Sequence, residues 1–130
     1  MLKNANSNAL DKDILALPYN DKIALIKQNS CLSILLNDSS ESIRAEVAKQ
    51  GFGLGILIND STSAVRKEVA YQGYGLNILV NDKSEWVRGN VAKKGYALEL
   101  LVRDKSPWVR NCVRDFLDKN NLTIEEYIAN

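Results

Sequence analysis

A chain of 130 residues, 45% apolar and 25% charged, has the size and composition of one folded domain. Its net charge of +1 excludes a global field that would demand nucleic acid or an anionic membrane. It has no histidine, which removes the commonest general base and the commonest metal ligand and excludes Ser-His hydrolases and histidine-dependent metalloenzymes.

The N-terminus, MLKNANSNALDKD, contains no apolar run and does not read as a secretory signal. No later stretch approaches the ~20 apolar residues of a membrane span, so no membrane partner is expected. Leu10, Ile14, Leu15 and Leu17 predict a short amphipathic helix, and residues 1–19 are the expected N-terminal cap. Residues 20–37, NDKIALIKQNSCLSILLN, place Lys22, Leu25, Leu32 and Leu35 in register with the units that follow and form a degenerate first repeat. Cys31 lies here, far from Cys112; the two cannot make a disulfide framework or an iron–sulfur cluster, and a reducing cytoplasm is the expected compartment.

From Asp38 the chain repeats every 22 residues without gaps: 38–59, 60–81, 82–103 and 104–125. The first of these units reads DSSESIRAEVAKQGFGLGILIN and the third DKSEWVRGNVAKKGYALELLVR. Position 3 of each unit is Ser40, Thr62, Ser84 or Ser106, all good N-cap residues, and Pro107 follows at the favoured N1 place. A first helix therefore starts there and ends at Gly51, Gly73 or Gly95, where a C′ glycine is expected. A shorter helical piece of the GLxxLL kind follows, whose Leu, Ile and Val are expected in the core. Phe52, Tyr74 and Tyr96, between the two pieces, are expected to fill the core as wedges with the tyrosine hydroxyls reaching water. Neither piece buries an apolar face alone, so the units must stack. The last unit replaces its glycine with RDFLDKNN, which extends its helix to about Asn120. Thr123 and Glu126 then form a capping box, and 107–130 is the expected C-terminal cap of what reads as a complete protein.

An Asp, five residues, then Arg preceded by Ile or Val, followed by Val-Ala and Gly, resembles HEAT-like repeats. The short period and the GLxxLxxD half resemble the bacterial variant leucine-rich repeats more closely. The resemblance covers roughly 20–125 and implies an all-α fold, a right-handed α-solenoid of short repeats acting as an interaction scaffold. Some relatives carry chemistry, among them hydroxylases with His-Glu iron sites, a repeat protein with an iron–sulfur cluster, bilin lyases and alkylpurine glycosylases. The first two need ligands this chain lacks, and no motif of the others is present beyond the repeat. No catalytic residue, metal site or cofactor is expected.

Angles at ~100° per residue sort the first helix into faces. Positions 6, 10 and 11 (Ile43, Val47 and Ala48 in the first full unit) share an apolar arc, and the position-7 arginine falls inside it. A guanidinium there needs a partner, and the only acid present in all four units is the position-1 aspartate. An ion-pair ladder is expected from Asp38, Asp60, Asp82 and Asp104 with Arg44, Arg66, Arg88 and Arg110, within a unit or between adjoining ones. Positions 5, 8, 9 and 12 lie on the opposite arc, where Cys112 also falls. They make Trp86, Trp108, Tyr71, Lys93 and Asn90 the candidates for contact with a protein or peptide partner. Gly89 leaves a shallow hollow beside Trp86 unless it marks close packing. The tryptophans have a second reading, as packing that closes the C-terminal cap. Nucleic acid is the alternative partner, because Lys83, Lys93, Lys94, Arg103, Lys105 and Arg114 stand among the tryptophans. The expected state is a monomer or a weak homo-oligomer.

Overall fold

The computed structural model describes residues 10–129, which are all-helical with no strand among them. The first nine residues of the expected N-terminal cap lie outside the described residues; 10–15 are helical, and Ile14 packs against the core while Leu10 and Leu15 stay exposed. The helices that follow are α1 (Tyr19–Lys27), α2 (Leu32–Leu35), α3 (Glu41–Lys49), α4 (Leu54–Leu57) and α5 (Ser63–Tyr71). They continue as α6 (Leu76–Leu79), α7 (Glu85–Lys93), α8 (Leu98–Leu101), α9 (Pro107–Lys119) and α10 (Ile124–Ala129). Each of the first three full units joins a nine-residue helix to a four-residue one.

Starts and stops follow local chemistry. The unit aspartate accepts a hydrogen bond from the backbone N–H two residues on: Asp38 from Ser40 at 2.9 Å, Asp60 from Thr62 at 3.0 Å, Asp82 from Ser84 and Asp104 from Ser106 at 2.9 Å. This tight turn leads into the helix. Ser40, Thr62, Ser84 and Ser106 hold the N-cap position, with side-chain capping bonds at Ser84 (from Trp86 N–H) and Ser106 (from Val109 N–H). Gly51, Gly73 and Gly95 end the long helices with φ of 76°, 81° and 76°, a left-handed conformation that a side chain would disfavour.

Position 10 is fully covered in Val47, Val69, Val91 and Val113; position 6 is buried in all four units, and position 11 in the three where it is alanine, Ala48, Ala70 and Ala92. Each such valine removed from water contributes about 1.5–3 kcal/mol. The short helices each bury their last leucine, Leu35, Leu57, Leu79 or Leu101, and α2 and α8 also bury their first, Leu32 and Leu98. The expectation that the whole apolar run is core fails at Ile56, Ile78 and Leu100, which are 63%, 61% and 55% exposed. A helix of about one turn has a single flank against its neighbour, and the residue before the buried leucine points ~100° away from it. Phe52, Tyr74 and Tyr96 also depart from the expected wedge, being exposed at the rim between the helices.

Each long helix packs on the long helix of the next unit, in the order α1, α3, α5, α7, α9. At the C-terminal end α9 runs on to Lys119, and the Phe116 ring takes the space that a side chain on Gly95 would need. Tyr127 from α10 donates to the Gly95 carbonyl at 2.9 Å. Thr123 and Glu126 bond reciprocally, each side chain accepting from the other's N–H at 3.1 Å. No helix among the described residues is long and apolar enough to cross a membrane.

Candidate functional site

One side of the long helices is committed to ion pairs between units. Arg44 donates from Nε and Nη2 to Asp60 at 2.7 and 3.1 Å, Arg66 to Asp82 at 2.8 and 3.1 Å, and Arg88 to Asp104 at 2.8 and 3.0 Å. The third nitrogen of each fork reaches back to the backbone carbonyl of its own unit's aspartate, at 2.8, 2.8 and 2.9 Å. One guanidinium therefore joins the starts of two successive long helices. Burial raises the Asp60, Asp82 and Asp104 carboxyls, but the bonds from the arginines and from Thr62, Ser84 and Ser106 outweigh it and hold them below the usual carboxylate value. The bonds to the carboxylates correspondingly raise the three arginines.

The two ends differ from the expected series. The Asp38 carboxylate meets no arginine among the described residues; Lys22, at the position-7 register of the degenerate unit, lies 2.6 Å from its Oδ2 as an ion pair out of hydrogen-bond alignment. Lys22 was legible in that register, although an Asp-Arg pattern passes over it. Arg110 bonds the Asp104 backbone carbonyl but no carboxylate among the described residues, because Asp104 serves Arg88. The residue one repeat after Asp104 is Glu126, whose carboxylate caps Thr123.

The other side of α5, α7 and α9 is open. Tyr71, Trp86, Trp108, Lys93 and Asn90 line one groove of about 480 Å³, together with Lys67 and Glu68. Tyr71 and Trp86 are 54% and 53% exposed, whereas Trp108 is half-buried against the core. The indoles lie 5.5 Å apart between centroids and are tilted by 54°, a spacing at which aromatic pairs attract. Lys93 Nζ stands 4.9 Å over the Trp108 ring and Lys94 Nζ 5.5 Å over Tyr71, contacts worth about 0.5–1 kcal/mol each at such exposed sites.

Two expectations change here. Asn90 is not a free surface group: it is buried, and its Nδ2 donates to the Lys67 carbonyl at 2.9 Å, fastening α7 to α5. Cys112, at the same position one unit later, is also buried, and burial pushes its thiol up. Position 9 stands only ~60° around the helix from core position 6, so the preceding unit covers it. Glu68 shares that position, and burial raises its carboxyl. Gly89, in turn, leaves no hollow: a Cβ there would come within 2.5 Å of Trp108 Nε1, so the Trp108 indole fills the space. That Nε1 is buried without an acceptor.

Comparison with protein-family models, with curated proteins and with solved structures returned no significant match.

Proposed function

We propose that the chain is a HEAT-like or variant leucine-rich repeat protein, a right-handed α-solenoid of 22-residue units that serves as a non-catalytic scaffold. Its work is to hold a protein or peptide partner in the groove of Tyr71, Trp86, Trp108, Lys67 and Lys93. The reading places it in the cytoplasm, without cofactor, as a monomer or weak homo-oligomer. One observation carries it: two large aromatic side chains, Tyr71 and Trp86, stay more than half exposed beside a concave surface. Exposed aromatics cost solvation that a partner recovers, and tryptophan and tyrosine dominate interface energetics.

The ladder and the valine core support the scaffold half of the reading, since they stiffen the face opposite the groove. The test is affinity capture with wild-type protein and with Trp86→Ala. Loss of bound partner with an unchanged melting temperature is the expected result; retention of every partner overturns the reading. Nucleic acid is the second reading, favoured by lysines beside indoles. It requires oligonucleotide binding that weakens steeply with salt.

A further inference from the structure

The repeats supply their own comparison for the charges in the groove. In the first full unit Lys49, at position 12, pairs with Glu46 at position 9 over 2.9 Å. In the third unit Lys93 occupies the same position 12, but position 9 is the neutral Asn90, whose amide is already used on the Lys67 carbonyl. The lysine has thus lost its partner within the helix. Among the described residues Lys67, Lys93 and Lys94 have no carboxylate within ion-pair distance. Against these ammonium groups the groove sets one acid, Glu68, which lies half-buried in the wall.

We infer that the groove takes an acidic peptide segment, in which an aromatic or aliphatic side chain lies against Trp86 and neighbouring carboxylates meet Lys67 and Lys93. This deepens the protein-binding reading above and rests on it. Lys67 comes from α5 and Lys93 from α7, so they flank the aromatic surface from two helices. Lys93 is held in place over the Trp108 ring, which reduces the ordering that an ion pair with a partner would otherwise require. A cationic ligand is disfavoured by the same lysines despite the aromatic walls. Nucleic acid is disfavoured because Arg66 and Arg88 are bound into the ladder, leaving no guanidinium in the groove for phosphate. The volume of about 480 Å³ suits a few side chains.

The experiment is selection of random dodecapeptides displayed on phage against the whole protein. Enriched peptides are then measured by fluorescence polarisation on wild type, Trp86→Ala, Lys67→Glu and Lys93→Glu. The expected winners carry Asp or Glu around one Trp, Phe or Leu. Each variant should weaken them about tenfold or more, and raising salt from about 50 to about 500 mM should weaken them too. All three side chains sit on the open side, and a melting curve for each variant checks folding; if Trp86→Ala melts early, the two charge reversals carry the test. Winners that need Trp86 but are not acidic and ignore both reversals overturn this inference and leave the groove reading standing. Absence of any Trp86-dependent peptide overturns both. Displacement of the winners by a (dT)₁₂ oligonucleotide at low salt overturns the acidic-peptide inference in favour of the nucleic-acid reading.

Discussion

Replacing Arg66 with alanine removes three hydrogen bonds at once, two to the Asp82 carboxylate and one to the Asp60 carbonyl. Asp82 keeps the bond from Ser84 N–H, with its side chain only 9% exposed. Removing one partner from a buried ion pair costs about 3–5 kcal/mol, chiefly because the other charge stays behind. A groove lined by Arg66, Asp82 and Lys83 lets water approach this carboxylate, so the lower end, about 3 kcal/mol, is the expected loss. For a chain of this length each kcal/mol lowers Tm by about 3–5 °C, which gives a drop of about 9–15 °C. Thermal and urea melts of Arg66→Ala, Asp82→Ala and the double variant measure it. The double variant should lose clearly less than the sum of the two, since it leaves no orphaned charge. Arg110→Ala is the internal control: with no carboxylate partner among the described residues it should cost under about 1 kcal/mol. An Arg66→Ala protein that melts within about 3 °C of wild type, or no lower than Arg110→Ala, refutes the ladder as a source of stability.

Acid should act through the same rungs. Asp60, Asp82 and Asp104 have lowered folded pKa values, so their stabilisation is complete above the unfolded value of about 3.9 and lost as pH falls through the folded ones. Tm should therefore be nearly flat from about pH 7 to 5 and fall below about pH 4, with a shallower fall in Arg66→Ala; parallel acid limbs would contradict this. Glu68 has the opposite sign: its raised pKa means that stability present below the unfolded value is lost as pH rises through the folded one. Glu68→Gln should raise stability slightly at pH 7 and not at pH 4, as paired melts will show. Gly89→Ala would ordinarily favour a helix by about 1 kcal/mol, but its Cβ collides with Trp108. A net loss of about 1–3 kcal/mol and a shift in tryptophan emission are expected, and a stabilised variant contradicts the packing. Cys112 is buried with its thiol pushed up, whereas Cys31 is partly exposed. A thiol-reactive chromophore should therefore label one site promptly and the second only on unfolding; two prompt reactions refute this.

The parts legible in the sequence were those governed by a helix's own geometry. The 22-residue register aligned Asp, Arg and Val, and at ~100° per residue the valines and the arginine fell on one arc. Gly51, Gly73 and Gly95 marked helix ends because an αL residue is needed there. Such periodicity describes one helix and says nothing of which neighbour approaches which flank. That is why Asn90 and Cys112 read as surface positions, and why the exposure of Ile56, Ile78 and Leu100 was missed.

Only the packing of unit on unit decided the remaining questions. It selected the following unit's aspartate for each of Arg44, Arg66 and Arg88, and it brought Lys22 to Asp38. It also separated two tryptophans that occupy the same register. Trp108 settles into the space left by Gly89 of the unit before it, while Trp86 faces Ser63, Ala64 and Lys67 and stays more than half exposed. The repeat determined that both indoles stand on the same face of their helices. Which one is packed and which one is presented depends on the side chains of the preceding unit, which a helix's own period does not encode.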